Sequence, residues 1–243
     1  MKIMWQNPDY YRKVSDGMKR AWQNEAVKQR MRMRPTHHRL NIVEKNPSPC
    51  LSYVLGAWYG DGTSYMTLRG KSKVYFTTLA VNDSDFAIAF AKALSEIIPR
   101  RHLSPLVPFY NEKSRRWYVA LSSKDLYYFF HSGLTNHIPL ISQYPVEFIR
   151  GLADAEGSVV FDRGNPIVVI GNTDRDLLSL AATLLKNLGI MSKIYTYKAK
   201  KHNRRDFSYL RILDRSNVHR YSDLVGFTIQ RKMDRLARVY RSR

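Results

Sequence analysis

LSYVLGAWYGDG at residues 51–62 and PVEFIRGLADAEG at residues 145–157 carry one pattern at an offset of 95 positions. Each is a short apolar run holding two small residues four apart, Gly56 and Gly60 in the first, Gly151 and Ala155 in the second. Each closes on an acid, Asp61 or Glu156, followed by a glycine. Residues four apart share a helix face, so two such helices can meet almost backbone to backbone. Packed in parallel, their last turns bring Asp61 and Glu156 together, and carboxylates that close repel unless a cation lies between them. The pattern predicts a divalent-metal site at the seam of a duplicated fold.

The duplication extends beyond these segments. Tyr65, Thr67, Arg69, Lys73, Tyr75 and Thr77 alternate with Met66, Leu68, Val74 and Phe76 around Gly70, which predicts a hairpin with one wet and one buried face. Phe86, Ala89, Phe90, Ala93, Leu94 and Ile97 then recur at helical spacing, and Leu177, Leu180, Ala181, Leu184, Leu185 and Leu188 repeat the same intervals. Asn82-Asp-Ser-Asp and Asn172-Thr-Asp-Arg-Asp precede these helices as N-terminal caps, and Gly189 stops the second. Further strands are expected near 104–109, 116–121, 192–198 and 207–212, and third helices near 124–130 and 217–225. The fold class is therefore α+β: two pseudo-twofold related αββαββα repeats with antiparallel sheets. The expected organisation is a basic helical extension at 1–45, a first repeat at 46–134, a linker at 135–144, a second repeat at 145–227 and a basic helix at 228–243.

Composition fits a nucleic-acid partner. The 243 residues carry 40 Lys plus Arg against 20 Asp plus Glu, a formal charge of +20, which points to a polyanion, either nucleic acid or an acidic membrane surface. Residues 1–45 hold 11 basic against 4 acidic side chains, and 228–243 hold 6 against 1, so the excess concentrates at both ends. The single Cys50 excludes an internal disulfide and a thiolate zinc site. His37 and His38 are adjacent rather than at ligand spacing and are read as basic surface residues. No run reaches the roughly 18 apolar residues of a membrane span, and the first residues do not resemble a secretory signal, so an intracellular protein, cytoplasmic or organellar, is expected.

The paired segments resemble the signature of the LAGLIDADG homing endonucleases, over Val54–Gly62 in the first copy and Ile149–Gly157 in the second. Residues 7–22 resemble the nuclease-associated modular DNA-binding motif found beside such catalytic domains, with Lys19 and Arg20 placed to meet phosphate. The resemblance implies a monomeric, intron-encoded enzyme whose two sheets form a DNA-binding saddle. It also implies a staggered cut leaving 3′ extensions, with Asp61 and Glu156 catalytic and the Gly60 and Ala155 carbonyls completing the metal shell. Hydrolysis of a phosphodiester needs a water nucleophile and charge neutralisation, and Mg2+ suits a site with few protein ligands. Mn2+ is the expected substitute, and Ca2+ is expected to bind without supporting cleavage. Asp154, two residues before Glu156, lies on another helix face and reads as a cap or ion-pair residue. The family places a basic or polar residue near the metals, but Thr78–Asn82 and Gly171–Arg175 contain no lysine. Arg175 and Asn172 are the near stand-ins, with Lys193 and Lys124 more distant.

Recognition is expected on the wet faces of the sheets, because a two-stranded ribbon fits the major groove. The expected DNA contacts are Tyr65, Thr67, Arg69, Lys73, Tyr75, Thr77, Arg116 and Tyr118 in the first repeat. In the second they are Lys193, Tyr195, Tyr197, Tyr209 and Arg211, with Arg204 in a basic loop touching phosphate. Three other readings stay open: an intron RNA maturase of the same fold, a DNA-binding protein whose nuclease has decayed, and a basic ribosome-associated protein. The last leaves the paired acids unexplained.

Overall fold

The computed structural model describes residues 46–98, 106–162, 164–199 and 206–238. Helix α1 (Pro49–Asp61) starts with Pro at its first position and Ser48 as cap, whose hydroxyl accepts from the Leu51 amide at 3.1 Å. It runs straight into strand β1 (Gly62–Arg69), which turns at Gly70 (φ 62°) into β2 (Ser72–Val81). Helix α2 (Ser84–Ile97) follows, then β3 (Phe109–Asn111), β4 (Arg116–Ser122) and α3 (Lys124–Phe130).

Most of the expected linker, residues 135–141, belongs to a helix, α4 (Leu134–Ile141). Gly133 at its start adopts φ 95°, a conformation that costs an L side chain strain. The second repeat copies the first: α5 (Pro145–Glu156), β5 (Gly157–Asp162), β6 (Asn165–Asn172), α6 (Arg175–Asn187), β7 (Lys193–Tyr197), β8 (Phe207–Ile212) and α7 (Arg215–Leu224). Helix α8 (Gln230–Ala237) then stands where α4 stands in the first repeat.

Each repeat builds a four-stranded antiparallel sheet, in the orders β1-β2-β4-β3 and β5-β6-β8-β7. One face of each is packed: Leu79, Val81 and Val119 in the first, Val159, Val168, Ile170, Leu210 and Ile212 in the second. These side chains join Phe86, Phe90, Leu94, Leu177, Leu178 and Leu185 of α2 and α6 in one core that spans both repeats. The helical spacing read from the sequence marks this core-facing stripe. The expected cap acts at α6, where the Asp174 carboxylate accepts from the amides of Asp176 and Leu177, both at 3.0 Å. At α2 the cap residue Asp83 makes no such bond. Its carboxylate pairs instead with Arg231 of α8.

The hairpin register corrects one expectation. A two-residue turn pairs Leu68 with Lys73, Met66 with Tyr75 and Ser64 with Thr77, and directly opposed residues share a face. Across such a turn, odd positions of one strand therefore face the same way as even positions of the other. Lys73, Tyr75 and Thr77 lie on the helix-packed side, not with Tyr65, Thr67 and Arg69. Thr77 is buried, its hydroxyl 3.0 Å from that of Ser64. Tyr75 leans on Tyr127 of α3, ring centroids 5.1 Å apart.

Candidate active site

Helices α1 and α5 meet through their small residues. A Cβ added at Gly56 would run into the Phe148 carbonyl, and one at Gly151 into the Tyr53 carbonyl, with the Ala57 amide at 2.9 Å. These contacts are equivalent under the 95-residue offset, since Tyr53 matches Phe148 and Gly56 matches Gly151. At the far end Gly60 faces Ala155, with the Glu156 Cγ 3.0 Å from where its own Cβ would stand. The stripe of small residues thus sets the spacing of the helix ends that carry the acids.

Asp61 reaches solvent and Glu156 is half-buried. Burial raises the carboxyl pKa of Asp61, against the lowering fields of Lys232 and Arg116. Glu156 is pushed up to about 7, first by burial and then by the Asp61 charge, while Lys232 and a hydrogen bond from Asn172 pull it down. The field of Asp61 at Glu156 places the two acids near one another at the seam. Asn172 at the end of β6 donates through Nδ2 to Glu156 Oε1 at 3.0 Å, and its own Oδ1 accepts from the Asp174 amide at 2.8 Å. Of the stand-ins read from the sequence, Asn172 alone touches an acid of the pair. Arg175 is exposed, Lys193 lies on the open face of its sheet, and Lys124 sits 5.9 Å from the Tyr128 ring.

Among the described residues no group of three or more His, Cys, Asp or Glu side chains gathers at a metal-binding spacing. A metal here would rest on two carboxylates and on backbone. The donor set suits a hard cation: two acids, of which Asp61 raises the proton affinity of Glu156, beside the last-turn carbonyls of Gly60 and Ala155, which by position lack intrahelical partners. Asp154 is no part of it. It is 1 % exposed, its Oδ2 accepts from the Tyr53 hydroxyl at 2.9 Å and its Oδ1 from the Thr228 amide at 2.8 Å. It is a buried anchor joining α1, α5 and the segment before α8.

The open face of the first sheet carries Tyr65, Thr67, Arg69, Arg116 and Tyr118, with Tyr65 stacked on Phe76 and Phe109 on Tyr118. That of the second carries Lys193, Tyr195, Tyr197, Tyr209 and Arg211, as the alternation predicted, with the Arg211 guanidinium 5.7 Å from the Tyr195 ring centroid. Gly171 faces the same side, and a Cβ there would meet the Phe207 ring at 2.9 Å. Lys19, Arg20 and Arg204 lie outside the described residues.

Lys232 was missed as a single residue within a basic helix. It is 5 % exposed, and its Nζ donates to the carbonyls of Ala153 at 3.0 Å and Asp154 at 2.6 Å. Burial lowers its pKa to about 8, against the raising field of Asp154. Its spacing with Ile229 and Leu236, three before and four after, is the signal that places it on the buried stripe of α8.

Two motif helices joined through small residues, each ending in an acid beside a four-stranded sheet, define a class of protein, and the chain belongs to the LAGLIDADG family. The LAGLIDADG-like domain matches residues 143–226. An uncharacterized protein of Methanocaldococcus jannaschii is 31 % identical over 217 residues, covering 84 % of this chain and 76 % of that protein. The homing endonuclease I-DmoI of Desulfurococcus mucosus is 29 % identical over 163 residues, covering 62 % of this chain and 76 % of I-DmoI. The crystal structure of I-DmoI in complex with DNA and Mn shares the fold at a TM-score of 0.59 and 24 % identity, over 74 % of this chain and 98 % of that one.

Proposed function

We propose that this protein is a site-specific endonuclease that makes a staggered double-strand break in a long, asymmetric DNA target, acting inside the cell as a monomer. The observation that carries the reading is the acid pair at the abutting ends of α1 and α5, flanked by two sheets with open, basic and aromatic faces. Asp61, Glu156 and the Gly60 and Ala155 carbonyls would hold Mg2+, with Mn2+ as substitute. Bound there, the metal would supply charge neutralisation at the scissile phosphate and a water of lowered pKa. Asn172 orients Glu156 Oε1. Arg116, whose charge reaches Asp61, offers phosphate a cation on the open face. The aromatic rings and Arg211 offer stacking and bidentate contacts to base edges. The two open faces differ in side chains, so the two half-sites of the target need not match.

Support for the metal comes from I-DmoI, whose structures include complexes with DNA and Mn and with DNA and Ca. The test is to select a cleavage site from a randomised duplex pool. The wild-type chain should cut the selected site as a monomer in Mg2+ and bind it uncut in Ca2+. Asp61→Asn and Glu156→Gln should each abolish cutting while binding stays within about tenfold, because each removes metal-holding charge without changing shape. Tight binding to folded intron RNA, with no duplex cut from any pool, would instead support the maturase reading.

A further inference from the structure

Helix α8 crosses the seam. On the first repeat, the Arg231 guanidinium grips both carboxylate oxygens of Asp83 at 2.6 and 2.7 Å, and the Gln230 amide donates to Asp85 Oδ2 at 2.7 Å. On the second, the Thr228 amide meets Asp154 and the buried Lys232 ammonium meets the Ala153 and Asp154 carbonyls. Those carbonyls belong to the last turn of α5, immediately before Ala155 and Glu156. The Ala153 carbonyl also accepts from the Gly157 amide, whereas that of Asp154 has no intrahelical partner by position, and a cation there also suits the helix dipole. We propose that Lys232 is a positioning residue for the acid pair, holding the end of α5 so that Glu156 and the Ala155 carbonyl face Asp61. This deepens the metal reading of that pair and rests on it.

The first repeat supports the assignment by doing the same job with other residues. Tyr59 occupies the place of Asp154 under the 95-residue offset, and its hydroxyl lies 2.6 Å from Nδ1 of buried His137 on α4. Each repeat therefore docks its trailing helix onto its motif helix two residues ahead of the acid. An ammonium near a metal site has two opposed effects: its field repels the metal, and its hydrogen bonds fix the ligands. Here the field is answered locally, because the carbonyls of a helix C-terminus carry about half a negative charge and Asp154 is the foremost of the acids facing the lysine, ahead of Asp83 and Asp61. The hydrogen bonds remain.

The experiment compares the full wild-type chain with Lys232→Met, which keeps length and drops both donors, and Lys232→Gln, which drops the charge and keeps N–H donors. Binding of Mn2+ alone is read from the loss of its free paramagnetic signal, with Asp61→Asn as control for the site. Cleavage of the selected duplex is followed in single turnover, well below each variant's unfolding midpoint. Lys232→Met should bind Mn2+ at least fivefold more weakly and cut at least tenfold more slowly, with DNA affinity within twofold. Lys232→Gln should recover part of both. If the field dominated, both variants would bind Mn2+ more tightly, which overturns the proposal. Equal Mn2+ affinity and cutting rate in folded Lys232→Met overturns it as well, and if that variant does not fold, wild-type values in Lys232→Gln with no change in rate do so. Failure of the wild-type chain itself to bind Mn2+ would remove the metal reading, whereas wild-type binding that neither variant alters removes only the role of Lys232.

Discussion

Tyr59 and Asp154 occupy one position in two copies and meet the same structural demand with different chemistry. Burial raises the pKa of the Asp154 carboxyl, and three kinds of support oppose that rise: a tyrosine hydroxyl, a backbone amide and the nearby Lys232. Tyr59 needs only His137, which is 0 % exposed. His137 Nε2 lies 3.1 Å from the Phe129 carbonyl and so carries the proton, leaving Nδ1 to accept from Tyr59. Burial is the larger influence on the ring and lowers its pKa below the usual 6.5, against the raising bond to Phe129. The unfolded chain then takes up the proton first as pH falls. The stability associated with neutral His137 is present above pH 6.5 and is lost as pH drops below it, by at most about 1.4 kcal/mol per pH unit. Thermal unfolding of wild type should fall between pH 6.5 and 5 more steeply than that of His137→Gln. Parallel curves would show that the ring titrates normally in the fold.

At the scale of elements, the α1–α5 seam is governed by missing side chains. Gly151→Ala adds one methyl, yet that methyl would meet the Tyr53 carbonyl and the Ala57 amide, both backbone. Backbone cannot rotate away, so the helices must part. A loss of about 1–3 kcal/mol is expected, in line with overpacked cores. Urea unfolding should show a lower midpoint at unchanged slope, and the acid ends should separate, so cleavage should fall with it. Gly164, where an added Cβ meets nothing within 4 Å, is a poor control because its φ is 81°. Gly60→Ala is no milder, because the added methyl would run into the Ala155 Cβ, which is fixed to its own backbone and cannot swing aside.

At the scale of the whole molecule, the charge of +20 is the dominant quantity. Phosphate contacts release counterions, so the logarithm of affinity falls with the logarithm of salt by about 0.9 per phosphate neutralised on duplex DNA. Residues 1–45 contribute a net +7. A chain lacking them should bind the selected duplex more weakly and with a shallower salt slope, while its thermal unfolding stays near wild type, because both repeats lie outside the deletion. An unchanged slope would assign the extension to packing on its own protein. Among the described residues no helix is long and apolar enough to cross a membrane.

The sequence by itself determined the duplication, the helix and strand order inside each repeat and the acid at the end of each motif. Those are properties of local spacing: small residues four apart, an acid in register at the end of each run, and apolar stripes repeated at identical intervals. Alternation along each strand also grouped Lys193, Tyr195 and Tyr197 on one side of β7 and Tyr209 and Arg211 on one side of β8, and the register in the structure put the two groups on one face. Only the tertiary structure decided the face of Lys73, Tyr75 and Thr77, since the pairing across Gly70 depends on whether the turn holds two residues or three, and a one-residue shift reverses every side chain. Only it decided that residues 134–141 form a helix docked through His137, and that Asp83 serves Arg231 rather than its own helix. Lys232 shows the reason most directly. In the sequence it is one cation in a basic stretch, and its burial depends on carbonyls 78 and 79 residues earlier in the chain.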